Sequence, residues 1–386
     1  MRLLQICQRF PTSPLDAGGG SINVAYNLGK ELVKKGHEVS VYASTYLAAP
    51  EVDVQASVAV DGIAVRLFPS IARYKTFAVT PEMAPYLKRT ITDFDVIHLH
   101  DFRTFQSVAA YYYAQKYDVP YVVHGHGTIS RGIRLKRSKR AFDMLYGHRI
   151  IDNAARLIAV SNEERGHYRE MKANPEKISV IYNGMDITGF ENVSKNDSFK
   201  RKFGVDEKMI LYLGRLVEFK GIEVAIQAFA ELIEEADGLT LVIAGRNHGA
   251  EPKLRRLVKK MGIEASVRFT GFLSESCKKA AYADAVMFVH PVRYMGGVGL
   301  TPLEAILCGT PIIVTDECGE VIKDANCGYF VGHGDVTGLK EAMKALIENP
   351  AQGKEMVDRG AKYIREHLPW EKVATKFEEV YESCVD

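Results

Sequence analysis

The feature of this chain that most restricts its fold is an alternation of short apolar segments with helical segments, repeated in two successive halves. Segments with the composition of buried strands occur in the first half at 2–7, 38–44, 63–68, 94–100, 120–126, 156–161 and 177–182. They occur in the second half at 209–214, 239–245, 266–271, 285–290, 311–316 and 327–332. This alternation predicts an α/β fold in which parallel sheets are covered by helices on both faces.

Between residues 184 and 200 the alternation weakens into a polar stretch rich in turn-forming residues. A chain of 386 residues is long enough for two domains. We therefore predict Rossmann-like domains at 1–183 and 201–368, a linker at 184–200 and a separate C-terminal helix at 369–386. Two doubly wound domains predict a ligand cleft at the carboxyl ends of their strands.

The composition is that of a globular protein, with 47% hydrophobic and 25% charged residues. No stretch approaches the roughly 18 apolar residues of a membrane span, and the N-terminal apolar run is too short for a secretory signal. The six cysteines are scattered without metal or disulfide spacing. These features predict a cytoplasmic protein. Through residue 190 the chain has 24 basic and 18 acidic residues, which favours an anionic partner for that half.

A glycine-rich loop follows the apolar segment at 285–290 and precedes a predicted helix that opens at Thr301. Glycines between a strand and a helix allow a ligand to approach the backbone, and the helix start favours an anion such as phosphate. Glu304 has two interpretations here. It completes a capping box in which Thr301 is the N-cap and Pro302 the first helical residue, or it accepts hydrogen bonds from ligand hydroxyls. The three-residue spacing between Thr301 and Glu304 does not distinguish these two interpretations.

Two cations follow the first strand of the second half, Arg215 after Gly214 and Lys220 before Gly221. A guanidinium and an ammonium fixed at a strand end are suited to neutralise a departing diphosphate. The alternative is a solvated helix start.

Histidines cluster at two predicted strand ends. His126 lies between two glycines at the end of segment 120–126, where a ligand contact is expected. His98, His100 and His124 are interpreted as structural, and His124 as a hydrogen-bonded core residue.

Two further charged patterns, one acidic and one basic, are candidates for binding sites. Asp93 and Asp95 form a DxD pattern of the kind that binds a metal in some sugar-transfer enzymes, but they precede their strand and are interpreted as capping residues. Segment 131–140 has six basic residues and no acid. It is either a solvated face or a contact for an anionic acceptor or an acidic membrane surface, through Arg131, Arg134, Arg137 and Arg140.

Several motifs together resemble the retaining family 4 glycosyltransferases of the GT-B fold. They are the loop at 18–20, the His126–Gly127 pair, IAVS ending at Ser161, YNGMD at 182–186, LGRLVEFKG at 213–221, VIAG at 242–245, RFTGFLS at 268–274 and GVGLTPLEAILCGTPII at 297–313. The last helix resembles the segment that packs back on the first domain in that fold.

The resemblance implies a nucleotide-diphosphate sugar, such as a UDP-, GDP- or ADP-hexose, held mainly by the second domain. A hydroxyl acceptor is held by the first domain. Arg215 and Lys220 would hold the pyrophosphate without a metal or other cofactor, Glu304 the ribose hydroxyls, and His126 would line the sugar. Backbone contacts to the donor are implied for Gly19, Gly20, Gly214, Gly245, Gly297, Val298, Gly299, Leu300 and Thr301. No nucleic acid partner is expected, and contact with the inner face of the membrane would be peripheral.

One position departs from the family pattern. Gly296 stands eight residues before Glu304, where the family has a glutamate that contacts the donor sugar. This leaves two alternatives to a transferase: a sugar-nucleotide-binding protein with reduced or lost turnover, and a sugar-nucleotide epimerase of similar fold. An epimerase would need an acid–base pair of carboxylates, and none stands out at the strand ends.

Overall fold

The computed structural model describes residues 1–11, 20–45, 58–74, 77–130, 136–190, 193–205, 208–293, 299–316 and 320–385. The chain divides into two compact units. Unit 1 comprises Met1–Gly184 together with Trp370–Asp386, and unit 2 comprises Met185–Pro369. The helix at the C-terminus therefore belongs to the same unit as the N-terminal half.

Unit 1 is built on a parallel sheet with one antiparallel edge strand. Its strands are β1 (Arg2–Ile6), β2 (Glu38–Ser44), β3 (Val58–Val60), β4 (Ile63–Phe68), β7 (Val96–His100), β8 (Tyr121–His124), β9 (Arg156–Ala159) and β10 (Ile178–Val180). Strands β5 (Ala72–Tyr74) and β6 (Phe77–Val79) form a separate hairpin. The order in the sheet is β10-β9-β8-β7-β1-β2-β4-β3. Among the described strands of this eight-stranded sheet, only β3 runs antiparallel to its neighbour.

The helices of unit 1 cover both faces of this sheet. They are α1 (Ser21–Lys34), α2 (Met83–Thr90), α3 (Phe105–Lys116), α4 (Lys136–Phe142), α5 (His148–Asp152), α6 (Asn162–Glu170) and α15 (Trp370–Val385). Two hydrophobic clusters result, one containing residues of α1 and α15 and the other residues of α2 and α3. The predicted layered architecture is confirmed for this unit.

Unit 2 contains a fully parallel sheet. Its strands are β11 (Lys208–Leu213), β12 (Leu239–Ala244), β13 (Val267–Gly271), β14 (Met287–His290), β15 (Ile312–Thr315) and β16 (Tyr329–Val331), in the order β13-β12-β11-β14-β15-β16. Its helices are α7 (Ser198–Phe203), α8 (Ile222–Leu232), α9 (Glu251–Lys260), α10 (Glu275–Asp284), α11 (Leu300–Leu307), α12 (Glu320–Asp324), α13 (Val336–Glu348) and α14 (Pro350–His367). All six residues of β12 are buried, and five of them are apolar, as expected for a central parallel strand.

All thirteen predicted strands are present, and the main corrections concern where they end. β8 ends at His124, so that His126 lies two residues beyond the strand rather than at its end. The three-residue strands β3, β5 and β6 were not predicted, because segments of that length show no measurable alternation.

Each sheet has a point at which the order of its strands reverses. In unit 1 the chain starts at β1 and proceeds outward on one side through β2 and on the other through β7. In unit 2 it starts at β11 and proceeds through β12 on one side and β14 on the other. Doubly wound sheets bind ligands at the carboxyl ends of the strands at such points. We call this side of each sheet its carboxyl edge.

A buried carboxylate fixes the beginning of unit 2. Asp284, at the end of α10, accepts hydrogen bonds from the backbone N–H groups of Asp197 and Phe199, at 2.9 Å each. It is fully buried, and its charge lies against the first turn of α7, where free N–H groups require acceptors. Part of the segment predicted as a linker is thus packed into unit 2.

Candidate active site

The carboxyl edge of unit 2 brings together two glycines predicted to bind the donor. Gly214 follows β11, and Gly245 follows β12 with a φ of +141°. A side chain on Gly245 would place its Cβ 1.8 Å from the Gly214 carbonyl oxygen. Gly245 therefore has a structural reason to be glycine in addition to the ligand contact predicted for it, whereas a Cβ at Gly214 would lie 3.0 Å from the Tyr212 hydroxyl oxygen. Arg215, next to this contact, has an exposed side chain.

Lys220 reaches the same edge from the following turn. Gly221 has a φ of +64°, and a Cβ there would lie 1.8 Å from the carbonyl oxygen of Pro291, directly after β14. The turn thus packs on the end of β14. Burial, assisted by the charge of Lys220, lowers the pKa of His290 to about 3. Arg215 and Lys220 therefore both lie at the carboxyl edge of unit 2, at the strand end and the helix start where the sequence placed them.

The helix after β14 begins one residue earlier than predicted. Gly299 is the N-cap of α11, Leu300 is its first residue, and Thr301 lies within its first turn. The capping-box interpretation of Thr301 and Glu304 is therefore wrong. Leu300 is 40% exposed at this helix start. Gly296, Gly297 and Val298 lie outside the described residues, and their predicted roles stay predictions.

Glu304 is held by two side chains of α10. Its Oε1 accepts a hydrogen bond from Lys278 Nζ at 3.1 Å, and its Oε2 accepts one from Tyr282 OH at 2.9 Å. Its side chain is 13% exposed. Burial lowers the pKa of Lys278, but the carboxylates of Glu304 and Glu275 outweigh burial and raise it above its ordinary value. Burial and the Glu304 charge raise the pKa of Tyr282.

These two partners of Glu304 were not found from the sequence. Lys278 and Tyr282 are four residues apart and share one face of α10, which marks them as neighbours. Nothing in that spacing indicates that this face meets Glu304, the fifth residue of α11. The two contacts fix the position of the Glu304 carboxylate, which suits it to accept hydrogen bonds from hydroxyl groups.

In unit 1, a hydrogen bond joins the start of α1 to the residue that follows β7. Gly20 is the N-cap of α1, with a φ of +76°, and Gly19 lies outside the described residues. The Ser21 hydroxyl donates to Asp101 Oδ2 at 3.1 Å. Burial raises the pKa of Asp101, and the Ser21 hydrogen bond and the Arg9 charge oppose this. The predicted glycine loop thus ends at the switch point of the sheet.

His126 lies after β8 in a left-handed backbone conformation, with a φ of +52°. One of its ring nitrogens, Nε2, lies 2.9 Å from His100 Nδ1. Its Nδ1 is buried without a hydrogen-bond partner among the described residues, although the residue as a whole is half-buried. Burial lowers the pKa of His126 to about 3. The imidazole is therefore neutral at pH 7 and acts as a hydrogen-bonding group rather than a cation.

His98, His100 and His124 are buried beside it on one face of β7 and β8. Their structural interpretation agrees with this burial, but His124 is not hydrogen-bonded as expected. Both of its ring nitrogens lack a partner within the described part of the chain. Instead it stacks on His126 with ring centroids 3.7 Å apart. Burial and the neighbouring rings lower the pKa of His124 well below its ordinary value.

This histidine group is the one metal-like cluster among the described residues. One ring nitrogen of each of His98, His100 and His124 lies within 4.8 Å of the others. Zinc requires nitrogens about 2.0–2.1 Å from the ion, which places ligand nitrogens roughly 3.3 Å apart in a tetrahedral site. The rings of His98 and His100 are stacked, 3.9 Å apart with an interplanar angle of 22°, so their in-plane lone pairs do not converge. The arrangement does not fit a metal ion.

The other charged patterns lie away from these sites. Asp95 precedes β7 and accepts a hydrogen bond from the Arg2 backbone N–H at 2.6 Å, at the end of the sheet opposite its carboxyl edge. Its interpretation as a capping residue agrees with this position. Arg137 and Arg140 are exposed on α4, and Arg131 and Arg134 lie outside the described residues.

A short apolar surface follows the basic helix. Met144, Leu145 and Tyr146, in the π-helical turn after α4, are 74%, 60% and 43% exposed. Exposed apolar residues beside cations are typical of surfaces that contact membranes or lipids. Among the residues that the structure describes, no helix combines the length and apolar composition that a membrane span requires.

Comparisons with known proteins cover both units. Residues 18–188 match the profile of Glycosyltransferase Family 4, and residues 193–366 match that of Glycosyl transferases group 1. An uncharacterised glycosyltransferase of Methanocaldococcus jannaschii is 30% identical, with 100% of this chain and 99% of that protein aligned. A phosphatidyl-myo-inositol mannosyltransferase of Mycobacterium leprae is 27% identical over 99% and 97% of the two chains.

Among solved structures, the chain is similar to HepE of Anabaena. The TM-score is 0.79 at 19% identity, with 99% of this chain and 100% of that chain covered, and that crystal structure contains UDP. Another crystal structure of HepE contains UDP-glucose. At this identity the similarity establishes the fold, which is GT-B.

Proposed function

Because this chain belongs to the group 1 and family 4 glycosyltransferases, we propose that it transfers a hexose-type sugar from a nucleotide-diphosphate sugar to a hydroxyl acceptor with retention of configuration. The main support for the donor assignment is the set of residues at the carboxyl edge of unit 2. There the cations Arg215 and Lys220 lie near the strand switch point, and Glu304 is held by Lys278 in α11, the helix that follows β14. This combination suits a pyrophosphate next to a ribose.

Each part of the donor has a proposed partner. Arg215 and Lys220 bind the diphosphate and stabilise the charge that develops on it as the sugar departs. No metal is required for this in our proposal, because the cations supply the positive charge. Glu304 accepts hydrogen bonds from the ribose hydroxyls, which fits a carboxylate held by Lys278 and Tyr282. The UDP bound by HepE makes a uridine nucleotide the first to test.

The transfer itself is proposed to take place on one face of the sugar. The acceptor oxygen attacks the anomeric carbon as the bond to the leaving phosphate oxygen breaks, and that phosphate oxygen takes the acceptor proton. His126 is neutral at pH 7 and contacts the transferred sugar through hydrogen bonds. It is not proposed to act as the general base, since a group with a pKa of about 3 accepts protons weakly at pH 7.

The acceptor is proposed to bind unit 1 and to be anionic or displayed at an anionic membrane surface. The exposed Arg137 and Arg140 supply positive charge, and the apolar surface at Met144, Leu145 and Tyr146 adjoins them. A triple variant, with Arg134, Arg137 and Arg140 replaced by alanine, is expected to bind anionic lipid vesicles less well. Unchanged vesicle binding would indicate that segment 131–140 is only a solvated face.

The donor proposal is tested by a thermal-shift panel of UDP, GDP and ADP with their hexose conjugates, in the presence of EDTA. A ligand at 100 times its dissociation constant stabilises the folded state by about 2.7 kcal/mol. We expect one nucleotide family to raise the melting temperature, with the largest shift for one sugar. An Arg215→Ala, Lys220→Ala double variant should lose that shift. No shift in the wild-type protein with any nucleotide would refute the donor assignment.

Gly296 provides the test for reduced turnover. A Gly296→Glu variant restores the glutamate of the family pattern. Faster transfer in this variant would indicate a protein whose turnover had been reduced by the glycine. Unchanged or slower transfer would indicate a donor site adapted to a different sugar, and product analysis by NMR would distinguish transfer from epimerisation.

A further inference from the structure

The loop that carries His126 has an unfavourable backbone. We call residues 125–130 the His126 loop. His126 and Gly127 both have positive φ angles, +52° and +77°. A non-glycine residue in the left-handed region is energetically unfavourable and persists where surrounding contacts enforce it. The contacts that enforce it here come from two charged side chains on separate elements.

Glu164 of α6 accepts hydrogen bonds from the loop and from the end of the neighbouring strand. Its Oε1 accepts from the Gly127 backbone N–H at 2.6 Å, and its Oε2 accepts from the Val160 N–H at 3.0 Å. Glu164 is 2% exposed. An ionised carboxylate accepts at both oxygens, whereas a glutamine would present an NH₂ group to one of these donors. The Gly127 and Val160 N–H groups therefore require an acceptor at both positions, which a carboxylate provides and a glutamine does not.

Gly125 makes room for this carboxylate. A Cβ at Gly125 would lie 2.5 Å from Glu164 Oε1, a distance that real contacts do not show. The backbone of Glu164 is fixed in turn, since its N–H donates to the Ser161 hydroxyl at 3.1 Å at the start of α6. The missing side chain at Gly125 thus leaves space for the Glu164 carboxyl group, and the Ser161 hydroxyl holds the Glu164 backbone.

Arg103, after β7, binds the carbonyl groups of the same loop. Its guanidinium donates to the carbonyl oxygens of Thr128 and Ile129, the latter at 3.0 Å. The same guanidinium forms a two-point ion pair with Asp143, at 2.8 and 2.9 Å. The Arg103 and Asp143 side chains are 11% and 1% exposed. A carboxyl group therefore binds an N–H group of the His126 loop, and a guanidinium binds two of its carbonyl groups.

We infer that Glu164 and Arg103 are positioning residues, which hold His126 in its left-handed conformation and thereby fix its imidazole for contact with the transferred sugar. The inference rests on the proposed function of His126. Neither residue is placed in contact with substrate. Their effect on the reaction passes through the backbone of the His126 loop.

The test compares a Glu164→Gln variant with Glu163→Gln, its exposed neighbour on α6, as the matched control. Hydrogen exchange of the Gly127 amide is measured by NMR in the protein without substrate. Turnover is measured as UDP release from UDP-glucose with an acceptor, and UDP binding by calorimetry. For Glu164→Gln we expect at least tenfold faster exchange of the Gly127 amide and about tenfold lower kcat, with the UDP dissociation constant within twofold. Glu163→Gln should match the wild-type protein.

Two further variants test the same inference in case Glu164→Gln does not fold. Gly125→Ala crowds Glu164 Oε1 and Ile129 Cγ1, each 2.5 Å from the added Cβ, without removing the carboxyl group. Arg103→Lys removes the planar two-point contact while keeping a cation. Both should reproduce the exchange and turnover pattern. Unchanged exchange at Gly127 in Glu164→Gln would overturn the inference, and so would faster exchange with unchanged kcat. If UDP binds no form of the protein, the proposed donor fails, while the exchange data still decide whether Glu164 holds the loop.

Discussion

The two units hold their principal site residues by opposite electrostatic means. In unit 1, His126 is neutral, packed against other uncharged imidazoles and fixed through its backbone. In unit 2, Glu304 is charged and is fixed through its side chain by Lys278 and Tyr282. Burial acts on both, but it removes the charge of an imidazole that has no anionic partner. The Glu304 carboxylate, in contrast, forms an ion pair with Lys278 at 3.1 Å.

This difference separates the roles that the residues can take. A neutral imidazole in a fixed position offers directional hydrogen bonds to a sugar without attracting the diphosphate. A paired carboxylate accepts hydrogen bonds from hydroxyl groups and, because its charge is balanced by Lys278, repels a nearby phosphate less than a free carboxylate would. Substitutions in each unit should therefore have separable effects on turnover and on nucleotide binding.

The largest effect is expected from His126→Ala. Removing one positioned hydrogen-bonding group near a reacting centre lowers kcat by about 10²-fold in comparable cases. The UDP dissociation constant should stay within twofold, since the side chains proposed to bind the nucleotide, Arg215, Lys220 and Glu304, lie in unit 2. Steady-state kinetics and calorimetry measure the two quantities. A loss of UDP affinity as large as the loss of kcat would contradict the separation of roles.

Glu304→Ala should act mainly on nucleotide binding. Hydrogen bonds to charged groups contribute about 1.5–3 kcal/mol, so UDP affinity should fall roughly 10- to 100-fold. The matched control is Glu275→Ala, because Glu275 also pairs with Lys278 but is 75% exposed. Its effect should be below twofold. Equal losses in the two variants would show that Lys278, and not Glu304, is the important contact.

The histidines of unit 1 predict loss of stability in mild acid. Burial lowers the pKa values of His98, His100, His124 and His126 below the ordinary 6.5, so below pH 6.5 the unfolded chain binds protons that the folded chain does not. Stability should therefore fall as the pH decreases from 6.5 toward 5.

Two buried acids in the same unit act in the opposite direction. Burial raises the pKa of Glu164 to about 7 and also raises that of Asp101, so their contributions to stability are largest at low pH and are lost as the pH rises. Four histidine protons outweigh two carboxyl protons, so the apparent melting temperature should still fall between pH 7 and pH 5. Replacing His124 with Asn should reduce the slope. An unchanged slope would show that His124 titrates normally.

The smallest effect is expected from Tyr282→Phe. This variant removes one of the two hydrogen bonds to Glu304 and leaves the Lys278 ion pair, at a cost of about 1 kcal/mol. UDP affinity should fall two- to fivefold, measured by calorimetry. A loss as large as that of Glu304→Ala would mean that the hydroxyl of Tyr282, rather than the cation, orients the carboxylate.

Much of the architecture could be read from the sequence because it depends on local patterns. The buried strands are short apolar runs such as the one that forms β12, and the alternation with helices follows from the order of segments. The positions of Gly214, Arg215 and Lys220 at the carboxyl edge also follow from the sequence, because parallel strands place their carboxyl ends on the same side.

The tertiary structure decided how the site residues are held, because their partners are distant in sequence. Lys278 and Tyr282 lie 26 and 22 residues from Glu304, and Glu164 lies 37 residues from the amide that it binds. A four-residue spacing on a helix or a lone glutamate carries no information about which surface it will face. The start of α11 at Leu300, rather than Thr301, likewise follows from the loop before it. The sequence by itself determined the fold and the edge at which chemistry is placed, and packing between distant segments decided which charges are paired there.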